Sequence, residues 1–221
     1  MGIVVRDLAG LGEWSAASAL YRRVFGYDQP EFGISPRLLA ALRENSGSAL
    51  GAFDPGGELI GFCYGFSAVD GGELYHYSQA AVVAAGAQGL GVGRRLKQAQ
   101  AETARATGAR TMRWTFDPYA LRNAHFNLSV LGATAIRFLP DYYDDGASDR
   151  LLVSWDLTGP HAVKHECVTV TAPAGEQVAA PGPADRAVLR RELAERFATG
   201  RLVRVERRAE HAVYTFERDT P

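Results

Sequence analysis

In the first part of the chain, hydrophobic residues recur first with the period of a strand and then with the period of a helix. From Ile3 to Leu8 the alternating side chains predict a strand. From Trp14 to Phe25 the apolar residues recur at helical spacing. Ser35 followed by Pro36 is a typical N-cap and first helical position, and it predicts a second helix that runs through Leu42. The chain therefore opens with a strand and two helices.

A hairpin and a long strand follow. Ala49–Phe53 and Leu59–Ser67 predict paired strands because a Gly-rich turn separates them. Glu73–Val83 is long enough for a central strand that carries a site. After it the period becomes helical from Leu90 to Ala106, and Gly108 is the expected C-cap. The pattern is strand, Gly-rich turn, helix.

The next elements repeat this alternation. An amphipathic helix from Leu121 to Leu131 lies between short strands, and an aromatic and acidic loop precedes the last of them. The predicted strands are Thr111–Phe116, Thr134–Leu139 and Leu151–Leu157, and the loop is Pro140–Asp149.

Gly159–Pro160 predicts a domain boundary. Residues 1–158 form the main domain in this interpretation, residues 159–182 a linker rich in Pro, Gly and Ala, and residues 183–221 an extension packed on the main domain. The extension consists of a helix with Leu189 and Leu193 and of two strands, Leu202–Glu206 and Ala212–Phe216. The predicted fold class is α/β (α+β), with a mixed, mainly antiparallel twisted sheet flanked by helices.

Composition narrows the choice of partners. The 221 residues carry a formal net charge of -1 and an apolar fraction of 47%, so neither nucleic acid nor a membrane is expected as a partner. Met1 to Leu20 shows no export signal, and two distant cysteines, Cys63 and Cys167, favour a reduced, cytoplasmic setting. His161, His165 and Cys167 have roughly metal-like spacing but lack an identifiable fourth ligand, so no metal is expected.

The segment from Gln88 to Gly93 is the strongest chemical signal. Glycines at positions 89, 91 and 93 let backbone N–H groups approach a ligand where the next helix begins, and this geometry suits a pyrophosphate. Arg94 and Arg95 add positive charge. The segment lacks the Gly-Lys-Ser/Thr ending of a P-loop and the Gly-x-Gly-x-x-Gly spacing of a dinucleotide site. A glycine-rich turn without a ligand remains the alternative.

At these residues the chain resembles the GNAT acetyltransferase superfamily. Gln88, Gly91 and Gly93 match its motif Gln/Arg-x-x-Gly-x-Gly/Ala, with Val83 at the strand end, and the order of elements from Ile3 to Leu157 agrees. The segments Trp114–Pro118, Arg122–Asn127, Leu131–Ala133 and Ser148–Val153 resemble a subgroup of predicted acetyltransferases with a C-terminal extension. Some relatives are thought to move succinyl groups onto amino acids.

The resemblance implies an acyl-CoA-dependent N-acyltransferase that acts by direct attack of an amine. Acetyl-CoA or succinyl-CoA is the implied co-substrate, a small amino-acid-like amine the acceptor, and a homodimer is plausible by analogy. The implied cofactor-binding residues are Val82, Val83, Gln88, Gly89, Gly91, Val92, Gly93, Arg94 and Asn123. For Asn123, helix capping or packing is an equal alternative to contact with the pantetheine arm.

The catalytic groups are less clearly indicated. His76 and Glu73 on the central strand are candidate bases, and because they lie three residues apart at most one of them faces the site. The tyrosine that usually serves as general acid in the superfamily is replaced by Leu128, which leaves Tyr142, Tyr143 or solvent as proton source. Asp117, Arg122 and Arg150 are candidate substrate contacts, the arginines for a carboxylate.

Two other functions stay open at this stage. The absent tyrosine is compatible with a catalytically idle protein of the same fold that binds acyl-CoA as a sensor or interaction module. A third hypothesis is that a protein of this fold decarboxylates a malonyl-type thioester. That reaction needs no amine acceptor. Turnover with an acceptor distinguishes the first hypothesis from both.

Overall fold

A computed structural model describes residues 2–159, 167–173, 182–208 and 211–218. The chain divides into two compact units, Met1–Met112 and Arg113–Pro221. Each unit contains β-strands and the helices that pack on them. The strand pairs whose residue-by-residue register is defined are antiparallel. The predicted mixed, mainly antiparallel fold class with flanking helices is confirmed.

The first unit contains four consecutive antiparallel strands and three helices. The strand order is β1-β2-β3-β4, so each strand pairs with its neighbour in sequence. The elements are β1 (Val4–Asp7), α1 (Gly10–Phe25), α2 (Pro36–Glu44), β2 (Ser48–Phe53), β3 (Leu59–Asp70), β4 (Glu73–Val83) and α3 (Val92–Ala106).

Helices cover both faces of this sheet. Leu20 of α1 and Leu39 of α2 are fully buried in a cluster with Phe62 of β3. On the other face, Leu96 of α3 packs in a second cluster with Leu50. Because helices cover both faces of the sheet, the strands carry apolar side chains on both faces. The sequences of β2 and of the middle of β3 are therefore continuously apolar instead of alternating.

Strand β4 contains a bulge. Ala80 lies opposite Tyr64 and Ser78 lies opposite Gly65, which leaves Gln79 as an extra residue. A bulge inverts the alternation of side chains along a strand and frees the local backbone from regular pairing. His76 and Ser78 therefore face α3 before the bulge, whereas Val82 packs on the α1 side after it.

The described part of the second unit contains six strands. Strand β5 begins just before the division, and the order in the sheet is β5-β7-β6-β9-β10-β8. The elements are β5 (Thr111–Phe116), α4 (Leu121–Ala124), a π turn (His125–Val130), β6 (Thr134–Leu139), β7 (Arg150–Asp156), β8 (Cys167–Pro173), α5 (Pro183–Phe197), β9 (Gly200–Arg208) and β10 (His211–Arg218).

Two features of the second unit differ from the expectation. The predicted single helix from Leu121 to Leu131 is four residues of α-helix followed by a π turn. Strand β8 lies inside the segment that we predicted as linker, and it pairs with β10. The boundary at Gly159–Pro160 stays a prediction because residues 160–166 lie outside the described part of the chain.

Within the described residues, no helix has the length and apolar character that a membrane span requires. Helix α3 is amphipathic, with Leu96, Ala101 and Ala104 buried and Arg94 and Arg95 exposed.

Candidate functional site

The Gly-rich segment forms a tight turn between β4 and α3. A short 3-10 turn at Ala85–Ala87 leads to Gln88 in extended conformation, and Gly89 and Gly91 follow with φ angles of +83° and +76°. Residues with a Cβ rarely adopt such angles. The turn therefore depends on glycine at both positions.

Gly91 is the N-cap of α3, and it has no side chain with which to cap the helix. The first intrahelical bond runs from the Arg95 amide to the Gly91 carbonyl over 3.1 Å. The amides of the three preceding residues, Val92, Gly93 and Arg94, have no acceptor within the helix at this end. Together with the helix dipole they make a seat for a negatively charged group.

The seat is anchored in the core of the first unit. Val92 is 1% exposed and packs with Ala87 and Leu96 in the cluster beneath α3. Gly61 of β3 permits this close approach, because a Cβ at this position would lie 3.0 Å from Val92 Cγ1. Gln88 and Arg94 are exposed on the outer side of the turn, as the prediction of a ligand contact requires.

A buried polar network lies under the same helix. His76 Nε2 lies 2.9 Å from Ser48 Oγ, and the Gln100 amide donates to the same hydroxyl oxygen over 2.8 Å. Ser78 donates to Gln100 over 2.7 Å and accepts from Lys97 Nζ over 2.7 Å. Strands β2 and β4 are thereby tied to α3 by side chains alone.

Burial changes the protonation of two members of this network. It lowers the pKa of Lys97 to about 7, and burial together with the nearby Lys97 charge lowers the pKa of His76 to about 4. Burial also raises the pKa of the Cys63 thiol to about 12, and Cys63 belongs to the same layer. His76 is therefore neutral at physiological pH.

This placement does not support His76 as the catalytic base. Its side chain is 0% exposed, so an acceptor amine cannot touch it, and its Nδ1 has no hydrogen-bond partner among the described residues. Glu73 is exposed at the far end of β4, ten residues from Val83, which is ~33 Å along a strand. Its role as a base stays a prediction.

The predicted substrate contacts belong to the second unit. Asp117 Oδ1 accepts the Tyr119 amide hydrogen bond over 2.8 Å, so this carboxylate shapes the turn that follows β5. Arg122 and Asn123 lie exposed on α4 directly after it. The N-cap of α4 is Ala120, so capping does not explain Asn123.

Asp149 organises the loop that carries the other predicted contacts. Its buried carboxylate accepts the Tyr119 hydroxyl over 2.6 Å and the Asp141 amide over 2.9 Å, and it lies 3.1 Å from an Arg190 nitrogen of α5. Burial and the neighbouring Asp149 raise the pKa of Tyr119, which keeps its hydroxyl protonated as the donor. No local pattern indicates this cluster, because Tyr119 lies 30 residues before Asp149 and Arg190 lies 41 residues after it.

Tyr142 and Arg150 lie at the two ends of this loop. Tyr142 exposes 43% of its surface, and its ring is edge-on to Tyr143 at 4.9 Å. The Arg150 guanidinium lies 5.1 Å from the Tyr143 ring centroid and donates to the Asp149 carbonyl oxygen over 3.0 Å. The exposed Tyr143 ring thus lies beside the Arg150 cation, and the Tyr142 ring lies against Tyr143.

We expect Asp149→Ala to lower the free energy of unfolding by about 3 kcal/mol, because it leaves a buried hydroxyl and an arginine without their shared acceptor. Urea unfolding followed by circular dichroism measures the change. Asp145→Ala in the same loop is the matched control, since Asp145 is exposed and accepts an amide bond of its own loop. Equal losses in both variants would contradict the role of Asp149.

Leu128 lies in the π turn and is 3% exposed. A π turn contains more residues per turn than an α-helix, so counting back from Gly132 at α-helical spacing does not define a helix face here. The neighbouring Asn127 accepts a 3.0 Å hydrogen bond from Trp114 Nε1 and is buried. Neither residue supplies a phenol.

Among the described residues, no group of three His, Cys, Asp or Glu side chains could hold a metal ion. His161 and His165 of the metal-like pattern lie outside the described residues, so that alternative is untested by the structure.

Comparison with known proteins found similarity at the level of family and fold. The sequence model of the acetyltransferase (GNAT) family matches residues 14–132. No curated protein matches the chain.

Several solved structures share the fold at low sequence identity. A GNAT-family protein from Desulfovibrio desulfuricans has a TM-score of 0.58 and 16% identity, over 71% of this chain and 100% of its own. YncA from Salmonella typhimurium, solved with acetyl-CoA, has a TM-score of 0.57 and 17% identity, over 73% and 98%. An aminoglycoside 6'-N-acetyltransferase solved with coenzyme A has a TM-score of 0.55 and 16% identity, over 73% and 100%.

Proposed function

Because this chain belongs to the acetyltransferase (GNAT) family, we propose that it transfers an acetyl or succinyl group from CoA to a small amino-acid-like amine. The family match establishes an acyl-CoA-dependent N-acyltransferase. The choice of acyl group and of acceptor is the proposal. We further propose that the protein works in the cytoplasm, in keeping with a buried Cys63 that forms no disulfide.

The conformation of the loop after β4 carries the proposal. Gly89 and Gly91 hold the turn open at positive φ, and the first amides of α3 point out of the helix end. A pyrophosphate with two negative charges suits these donors, and Arg94 stands exposed beside them. YncA, which shares the fold, was solved with acetyl-CoA.

The reaction needs little chemistry from side chains. The amine nitrogen attacks the thioester carbon, a C–N bond forms, the C–S bond breaks, and the nitrogen loses a proton while the thiolate gains one. The bulge at Gln79 interrupts regular pairing of β4, so we propose that backbone amides beside it polarise the thioester carbonyl. Positioning of the two reactants then supplies much of the rate.

The second unit supplies the proposed acceptor contacts. Arg122 and Arg150 are the cations proposed for an acceptor carboxylate, and this choice favours an amino acid over a simple amine. We propose Tyr142, or its neighbour Tyr143, as the proton donor because both phenols are exposed. Tyr119 and Tyr214, by contrast, are buried with raised pKa values.

The test is turnover with acetyl-CoA and, separately, succinyl-CoA against a panel of amino acids and amines, followed by free thiol release and product mass. Thiol release that depends on an acceptor with a carboxylate supports the proposal and identifies the acyl group. Release with carboxylate-free amines alone would overturn the amino-acid assignment. CoA binding without acceptor-dependent release would favour the binding module, and gas release from malonyl-CoA would favour the decarboxylase.

We expect Gly91→Ala to raise the KM for acyl-CoA at least tenfold, because alanine disfavours a φ of +76° and the amide seat moves with the turn. Steady-state kinetics measures this at saturating acceptor. Gly57→Ala is the matched control, since Gly57 has a φ of +84° in the β2–β3 turn and open space around it. An unchanged KM in Gly91→Ala would place the co-substrate elsewhere.

A further inference from the structure

A cavity lies wholly within the second unit, between the π turn and strand β9. Its volume is about 910 Å³, within the range of sites that hold small molecules. His125, Leu128 and Ser129 of the π turn form one wall, and Val203 and Arg204 of β9 form the other. The Gln88–Gly93 loop and the acceptor contacts proposed above lie outside these walls.

The lining combines an apolar base with hydroxyl groups. Leu128, Ala133 and Val203 form the apolar part of the lining. Leu128 and Ala133 are buried residues. Ser129, Thr134 and Thr215 contribute hydroxyl groups that can donate or accept hydrogen bonds. A ligand with an apolar body and a polar end matches this division.

The charge of the lining is positive. Among the described residues, Arg204, Arg207 and Arg208 line the cavity together with one carboxylate, Glu206. Arg204 and Arg208 share that carboxylate at 3.2 Å and 3.1 Å, so this ion-paired cluster carries one more positive charge than negative. The lining therefore attracts anions.

The backbone of the wall is also unusual. Residues His125–Val130 form a π turn, a conformation that is rare and is frequently found at functional sites. The turn ends before Gly132, which has a φ of +73° and leaves open space where a side chain would stand. The irregular backbone thus lies at the cavity itself.

We propose that this cavity binds a small organic anion with an apolar body, its acidic group held by the β9 arginines and its body resting on Leu128 and Val203. This inference concerns a site that the acyl-transfer proposal does not need. It therefore stands or falls independently of that proposal.

The probe is 8-anilinonaphthalene-1-sulfonate, which carries an aromatic body and one sulfonate. We expect saturable binding at one site by calorimetry and fluorescence, with affinity that falls as ionic strength rises. Arg204→Ala and Ser129→Trp, which remove charge or fill the cavity, are each expected to weaken binding at least tenfold. Arg201→Ala on the same strand and Val130→Trp in the same turn are matched controls outside the lining, and should bind as the parent does.

Three outcomes would overturn the proposal. Binding that is not saturable, or that is equal in the cavity variants and their controls, would show that the probe adsorbs elsewhere. Displacement of the probe by acetyl-CoA in proportion to CoA occupancy would assign the cavity to the co-substrate site. Ser129→Trp is checked for folding by circular dichroism, and Arg204→Ala decides the result if that variant does not fold.

Discussion

Gly65→Ala is expected to lower the free energy of unfolding by about 3 kcal/mol or more, the largest loss we predict for a single methyl group. A Cβ at this position would overlap the Tyr77 carbonyl oxygen and would lie 2.7 Å from His76 Nε2 and 3.0 Å from Gln100 Nε2. The carbonyl belongs to the paired strand β4 and cannot swing aside as a side chain does. Overpacking a rigid core of this kind costs at least 1–3 kcal/mol, and loss of the network bonds adds to it.

Urea denaturation of the purified variant measures the loss. Gly12→Ala is the control, because Gly12 is exposed inside α1 with open space around it. Alanine there is expected to stabilise the protein by about 0.5–1 kcal/mol through helix propensity. The same substitution thus has opposite signs at the two sites, and a destabilisation of Gly65→Ala below 1 kcal/mol would show that the network is not rigid.

Local patterns predicted much of the fold. Strands Glu73–Val83, Thr111–Phe116 and Thr134–Leu139 have the predicted bounds, because glycine or proline punctuates their ends and their apolar residues have a clear period. Strand β8 was missed, since its alternating valines and threonines lie within a segment whose Pro, Gly and Ala content is typical of a linker.

Features that depend on distant contacts had no local signal. The bulge at Gln79 is defined by its pairing with β3, and the sequence of β4 alone does not show it. Ser48 and Gln100 lie 52 residues apart, so their hydrogen bond cannot be deduced from spacing. The π turn likewise follows a helical hydrophobic pattern and differs from an α-helix only in its backbone bonds.

The same distinction applies to the candidate site. The loop from Gln88 to Gly93 could be predicted because its function depends on backbone conformation, which glycine spacing encodes directly. Whether His76 can act as a base depends on which helices cover the side of strand β4 on which His76 lies. Strand alternation indicated that at most one of His76 and Glu73 would face the site, but it could not show that His76 lies beneath α3.

Lys97→Met is expected to remove a rise in stability that the parent protein shows between pH 7 and pH 9. Burial lowers the pKa of Lys97 to about 7 in the folded protein, whereas the unfolded chain keeps the ordinary value of 10.5. Between these values the unfolded chain binds the proton that the folded protein has released. The free energy of unfolding then rises by roughly 1 kcal/mol per pH unit.

The other buried groups that face Lys97 set the limits of this window. His76, whose pKa falls to about 4, lowers stability only as the pH drops below its unfolded value of 6.5. Cys63, whose pKa rises to about 12, lowers stability as the pH climbs above its unfolded value of 9.0. Between pH 7 and pH 9 the slope therefore belongs to Lys97 within the network that the structure describes.

Urea unfolding at pH 7, 8 and 9 distinguishes the parent from the variant. Methionine is similar in length to lysine and carries no charge, so Lys97→Met should gain most over the parent at pH 7 and least at pH 9, although it gives up the 2.7 Å bond to Ser78. Arg94→Met on the exposed face of the same helix should keep the parent's slope. A slope that persists in Lys97→Met would mean that Lys97 keeps its proton in the core, which would then have to hold a charged ammonium at neutral pH.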